Sequence, residues 1–94
     1  MGIDLNKIEI IFNLIIDKLK KDGIHKISLD DDFYWNIPSD LLYDPYNKPN
    51  QFDMGQLSED YDFLLNSIEK DIIINGDLRK LSYLLRYIAD KLDQ

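Results

Sequence analysis

The spacing of the apolar residues changes twice along this chain, and this change limits the possible folds more than any other feature. Near the N-terminus the regularly spaced residues are Ile8, Ile11, Phe12, Ile15 and Leu19. Separations of three and four place such residues on one face of a helix. The spacing is lost over residues 24–54 and returns from Tyr61 onwards. The pattern predicts helices at both ends and a different structure between them.

The first helix is predicted to run from Asp4 to Asp22. Asp4 or Asn6 can accept a backbone N–H in its first turn, and Gly23 ends it because glycine enters the left-handed conformation most easily. Three further apolar residues widen the helix surface beyond one stripe, namely Ile10, Leu14 and Ile16. We therefore expect this helix to be covered on more than one side.

Residues 24–37 favour extended structure. Apolar and polar residues alternate around Ile27, and three consecutive aromatic residues follow, which predicts a short strand or hairpin. The acids of Asp30–Asp32 would form its turn. Because neighbouring strand residues point to opposite faces, one of Tyr34 and Trp35 points inward and the other outward. The core is the favoured place for Trp35, and a protein interface is the alternative.

An irregular acidic loop is predicted over Asp44–Met54, after one helical turn at Ser39–Tyr43 capped by Ser39. The loop contains two of the three prolines and few aliphatic residues. Loops of this length in small domains are often functional.

The C-terminal third predicts two amphipathic helices in an antiparallel hairpin. Ser58 would cap the first helix, Asn75–Gly76 would break it, and Asp77 would cap the second. The run Ile72–Ile74 fits either helix or strand, because β-branched residues suit a strand well. The chain as a whole, residues 1–94, is predicted to be a single α+β domain that is mostly helical.

No catalytic, cofactor or metal site is predicted. The chain has no cysteine, which excludes thiol nucleophiles and thiolate zinc sites. Asp30–Asp32 lacks the alternate acids and the glycine of an EF-hand loop, and the four glycines are isolated, so no phosphate-binding motif exists. We therefore expect a protein that is not an enzyme.

The net charge of −7 and the pI near 4.4 limit the possible partners. Nucleic acids and anionic membranes need clustered lysine and arginine, so neither is expected to bind. The N-terminus does not resemble a signal peptide and no apolar run is long enough to span a membrane. We expect a cytoplasmic protein.

The excess negative charge is concentrated between Asp30 and Asp62. This segment holds nine of the eighteen acids, one of the eleven bases and seven of the eleven aromatic residues. Rings supply rigid contact area and carboxylates steer the approach of a positively charged protein, so the segment is typical of a face that binds a basic partner. The candidate partner-binding residues are Asp31, Asp32, Tyr34, Asp40, Tyr43, Asp44, Tyr46 and Asp53.

Two stretches carry a resemblance to known proteins: Phe33-Tyr34-Trp35-Asn36-Ile37-Pro38, and Met54 to Asp60 leading into the helical hairpin. With its size and acidity, the chain resembles small, acidic, uncharacterised bacterial proteins and is similar in character to immunity proteins that neutralise toxins. The resemblance implies an inhibitor that occludes a basic toxin. The alternative is a structural or adaptor domain that forms a homodimer through its apolar helix faces.

Overall fold

The computed structural model describes residues 1–93 of the 94-residue chain. Its elements are α1 Leu5–Lys21, β1 Phe33–Asn36, α2 Ser39–Leu42, β2 Asp53–Gln56, α3 Leu57–Lys70 and α4 Asn75–Leu92. The predicted fold class is confirmed, since four helices accompany one antiparallel strand pair. Among the helices of residues 1–93, none has the length and apolar character needed to cross a membrane.

The bounds predicted for α1 are confirmed. Asp4 caps the helix by accepting the Asn6 N–H at 2.9 Å, and Gly23 follows the helix with a positive φ of 85°. The expected covering of this helix is not provided by the described chain itself, because none of the helix residues is buried. The main packing in the described structure is α3 against α4 and β1 against β2.

Of the two alternatives predicted for residues 24–37, the short strand is confirmed as β1, and the segment forms no hairpin within itself. β1 pairs instead with β2, which lies beyond the loop, with Tyr34 opposite Gly55 and Trp35 opposite Met54. Asp30–Asp32 is therefore not a hairpin turn. The sequence Asp-Met-Gly-Gln of β2 has little preference for a strand, and it extends here because its backbone bonds to β1.

Two predicted caps also differ from the structure. Pro38 occupies the cap position of α2 and no side chain caps this helix, while the Ser39 hydroxyl accepts a long hydrogen bond of 3.4 Å from Arg79. Gln56 occupies the cap position of α3, so Ser58 is the second helical residue. The first turn of α3 takes its acceptor from elsewhere in the chain, as described below.

The antiparallel helical hairpin is confirmed by the packing of α3 on α4. α3 ends at Lys70, the next residue Asp71 has a positive φ of 53°, and Asn75 already begins α4. The connecting run Ile72–Ile74 is neither helix nor strand. Asp77 is thus the third residue of α4, from where its carboxylate accepts the Ile74 N–H at 2.7 Å.

The core of the described chain is small. Leu57, at the junction of β2 and α3, is the buried apolar residue, with 3% of its surface exposed. Two polar residues are buried beside the helix connection: the Ser67 hydroxyl on α3 donates to the Asp77 carboxylate on α4 at 3.0 Å. This bond fastens the helical hairpin where the chain turns.

Candidate binding face

One side of the strand pair carries four exposed apolar side chains. Phe33 and Trp35 are two residues apart on β1 and so share a face, and Met54 lies opposite Trp35. Phe52 precedes β2 and meets Trp35 edge to face, with ring centroids 6.2 Å apart. Between 51% and 66% of each residue is exposed, Trp35 most of all. We call Phe33, Trp35, Phe52 and Met54 the β face.

The expected orientation of Trp35 is wrong, because Tyr34 is the residue that points inward. The Tyr34 hydroxyl donates to the Asp60 carboxylate on α3 at 2.6 Å. The centroid of the Tyr34 ring lies 4.8 Å from the centroid of the Tyr83 ring on α4. Burial, followed by the bond to the Asp60 carboxylate, raises the pKa of Tyr34. Tyr34 therefore ties the strand pair to both helices and is unavailable as a partner contact.

Gly55 makes this inward position of Tyr34 possible. A Cβ atom at Gly55 would come within 2.1 Å of Cζ in the Tyr34 ring. The ring therefore lies directly over the backbone of the neighbouring strand, in space that any other residue would occupy. With Tyr34 held there, strand alternation places Trp35 on the outside.

Asp32 also has an internal role and is not a free contact residue. Its carboxylate accepts the Ser58 N–H at 2.7 Å, the Ser58 hydroxyl at 2.8 Å and the Gln56 side-chain amide at 2.8 Å. The Gln56 amide, and then the two Ser58 donors, hold the pKa of the Asp32 carboxyl below its usual range. Asp32 thus caps the first turn of α3 from a position 26 residues earlier.

This lowered pKa predicts a loss of stability in acid. The unfolded-state pKa of aspartate is about 3.9, so the carboxylate of Asp32 stabilises the fold above roughly pH 4 and stops doing so as the pH falls through the folded-state pKa. We expect Asp32→Asn to lower the melting temperature by several degrees at pH 7 and to flatten its fall below pH 4. Thermal unfolding followed by circular dichroism between pH 7 and pH 2.5 measures both effects. The control is Asp31→Asn, an exposed neighbouring acid; equal curves for the two variants would contradict the assignment.

The other predicted contact residues lie at the surface. Asp31, Asp40 and Asp53 are exposed. Tyr43 and Tyr46, in the loop between α2 and β2, are 81% and 91% exposed. These five residues remain available to a partner.

Asp44 shapes the loop that carries the two exposed tyrosines. Its carboxylate accepts the Tyr46 N–H at 2.9 Å and the Asn47 side-chain amide at 2.8 Å. The Asn47 amide, and then the Tyr46 N–H, hold the pKa of the Asp44 carboxyl below its usual range. Asp44 therefore positions Tyr46, and its own oxygens are already engaged.

The segment that leads into β1 is fixed to the C-terminal half of α4. The Tyr87 hydroxyl donates to the Ser28 carbonyl at 3.3 Å and accepts the Asp30 N–H at 3.0 Å. Lys91 forms an ion pair with the Asp30 carboxylate, and this bond raises the pKa of Lys91. We call Ser28, Asp30, Tyr87 and Lys91 the α4 clamp.

None of the four residues of the β face is among the predicted contact residues. Phe33 could have been found from its separation of two residues from Trp35, which places both on one side of a strand. Phe52 and Met54 could not, because the chain places them in a predicted loop and only the register with β1 brings them to the face.

The chemistry of the β face suits binding. Its side chains are apolar, and the exposed acid Asp53 lies between Phe52 and Met54 along the chain. Within residues 1–93, no three side chains of the kinds that bind metal come together.

A comparison of the chain with known protein families, with curated proteins and with solved structures gave no match in any of the three.

Proposed function

We propose that this chain is a non-enzymatic protein-binding module whose partner is a basic protein. The observation that carries the proposal is Trp35, which lies 66% exposed among three other exposed apolar side chains on a strand pair. The proposed contact surface consists of the β face, Tyr43 and Tyr46. Three exposed acids lie near these residues in the sequence, namely Asp31, Asp40 and Asp53.

The composition of this surface resembles the centre of a protein interface. Tryptophan and tyrosine are enriched among residues that dominate binding energy, and contiguous exposed apolar patches mark interaction sites. Tyr34 and Asp32 support the surface from behind, since they fasten the strand pair to α3 and α4. The β face is therefore presented on ordered backbone, which reduces the entropy lost on binding.

The charge of the chain favours a basic partner. One base, Lys48, accompanies nine acids between Asp30 and Asp62. Charges at the rim of an interface mainly accelerate encounter, while the buried rings determine how slowly the complex dissociates. We expect the association rate to fall as salt screens these charges.

The most concrete form of this function is an inhibitor that occludes a basic toxin. The small size, the acidity and the exposed rings of the chain support this form. An immunity protein needs no catalytic group of its own, because covering the toxin is sufficient. Its gene would be expected beside a gene for a basic toxin.

The test starts from partner capture and ends on a matched pair of variants. Proteins retained from the native host at low salt and lost at high salt are identified by mass spectrometry, and the purified partner is then titrated against each variant by surface plasmon resonance. We expect Trp35→Ala to raise the Kd about 30-fold or more, as for a residue that dominates an interface.

The control variant is Phe63→Ala. Phe63 is an aromatic residue on α3 whose ring lies under Lys80 of α4, beside Ile72 and Ile74 of the connection between the two helices. We expect it to change the Kd less than about threefold. Equal effects of the two variants, or an association rate that does not respond to salt, would refute the proposed binding mode.

A further inference from the structure

Within residues 1–93, α1 packs only weakly against the other elements. None of its seventeen residues is buried, and the main packing in the described structure does not involve it. A helix of this length is marginal on its own in water, because most helical stability comes from tertiary packing of the apolar face. A surface that covers α1 is therefore expected.

The exposed area of the chain indicates how large that surface is. The chain exposes 8350 Å². A folded monomer of 11.1 kDa is expected to expose about 5,700 Å², so the excess is roughly 2,700 Å². Obligate dimers hide about 1,000–2,500 Å² on each partner. The excess is thus of the size that a second chain removes.

The apolar side of α1 has the spacing of a helix–helix seam. Leu5, Ile8, Phe12, Ile15 and Leu19 alternate separations of three and four, which is the heptad pattern of helices that pack side by side. All but Leu19 are between 39% and 79% exposed. Ile11 and Ile16 flank these positions and widen the seam. We call the five spaced residues the α1 seam.

We propose that the α1 seam is the interface between two copies of this chain, with the two α1 helices antiparallel. The proposal does not rest on the proposed function, since it uses a different surface. α1 carries four lysines against two acids, which disfavours a basic partner on this helix. A second copy presents the same apolar seam, so two seams can cover each other in a symmetric pair.

Charge also sets the direction of the second helix. In the heptad pattern Asp4 and Lys18 flank the same side of the seam, and Glu9 flanks the other. A parallel pair places Asp4 against Glu9 of the second copy, two like charges. An antiparallel pair places Asp4 against Lys18 of the second copy, two opposite charges. The antiparallel arrangement is favoured for this reason.

The first test is the mass in solution, measured by sedimentation equilibrium from 1 to 500 µM protein. The natural chain is expected at twice 11.1 kDa, and Phe12→Lys with Ile15→Lys is expected at 11.1 kDa. The control is Ile10→Lys with Leu14→Lys, which adds the same charge on the opposite side of α1 and should remain dimeric. A natural chain that is monomeric throughout, or a control that dissociates equally, would overturn the proposal.

A milder variant keeps the test valid if the lysines unfold α1. Phe12→Ala retains helix preference and is expected to raise the dimer dissociation constant at least tenfold. In the natural chain, helical circular dichroism should fall together with mass on dilution, because α1 loses its covering. Helicity that stays constant while the dimer dissociates would contradict the need of α1 for a partner.

The second test is the direction of the helices. The chain has no cysteine, so single thiols can be placed by Gly2→Cys and by Lys18→Cys. The two variants are mixed and treated with a short thiol-to-thiol cross-linker. The cross-linker is expected to join one chain of each variant, and the intact mass of the product identifies which two chains were joined. Efficient cross-linking of each variant with itself would show a parallel pair instead.

Discussion

Replacing Leu57 by alanine is expected to destabilise the protein by about 2–5 kcal/mol, the range measured for leucine truncations in cores. Leu57 is 3% exposed and is the buried apolar residue of the described chain. A domain of this length has a total stability of roughly 5–14 kcal/mol, and a small core places it near the lower end. The remaining stability is therefore expected to be only about 0–3 kcal/mol, as measured by urea denaturation with circular dichroism.

The matched control for this change is Leu78→Ala. Leu78 lies on α4 and is 73% exposed, so the same truncation leaves no cavity. We expect a change of less than about 0.5 kcal/mol, since leucine and alanine have similar helix preferences. Comparable losses in the two variants would show that Leu57 is not the centre of the core.

Asp77→Ala is expected to cost about 2–4 kcal/mol, the second large effect. The Asp77 carboxylate is 4% exposed and accepts from the Ser67 hydroxyl at 3.0 Å and the Ile74 N–H at 2.7 Å. Its removal leaves the partly buried Ile74 N–H without this acceptor and leaves the Ser67 hydroxyl with only the Phe63 carbonyl at 3.3 Å, and a donor left unsatisfied costs roughly 1–3 kcal/mol. The same urea denaturation measures the loss.

Glu59→Ala is the control for the charge that Asp77→Ala removes. Glu59 lies in the first turn of α3, as Asp77 lies in the first turn of α4, but it is exposed. Its interaction with the helix dipole is worth about 0.3–1 kcal/mol. If both variants lost only that amount, the hydrogen bonds of Asp77 would not be what fastens the helical hairpin.

Local signals in the sequence predicted the local parts of the fold. The spacing of apolar residues, Asp4 and Gly23 were sufficient to place α1, because each acts within one or two helical turns. The pairing of β1 with β2 joins residues about twenty apart, and no neighbouring residue signals it. The position of Asn75–Gly76 inside α4 was also missed, because α3 ends earlier, at Lys70, where Asp71 follows in a left-handed conformation.

The sequence predicted the acidic and aromatic character of the candidate site but only some of its residues. Acid and aromatic content pointed to the correct segment, yet composition does not tell which side chains already have partners. Asp32 and Tyr34 bond to residues 26 positions later and so face inward. Trp35 could be assigned to the outside only after the register with Met54 was known.

The short connection between α1 and the α4 clamp has a consequence for how many partners can be bound. Six residues, 22–27, separate the end of α1 from Ser28, so they reach at most about 25 Å. The helix itself is roughly 26 Å long. In an antiparallel pair of α1 helices, the rest of one chain would be attached at one end of the pair and the rest of the second chain at the other end. The dimer would carry two β faces. Such a bivalent molecule would hold a clustered or surface-bound partner far more tightly than one face alone.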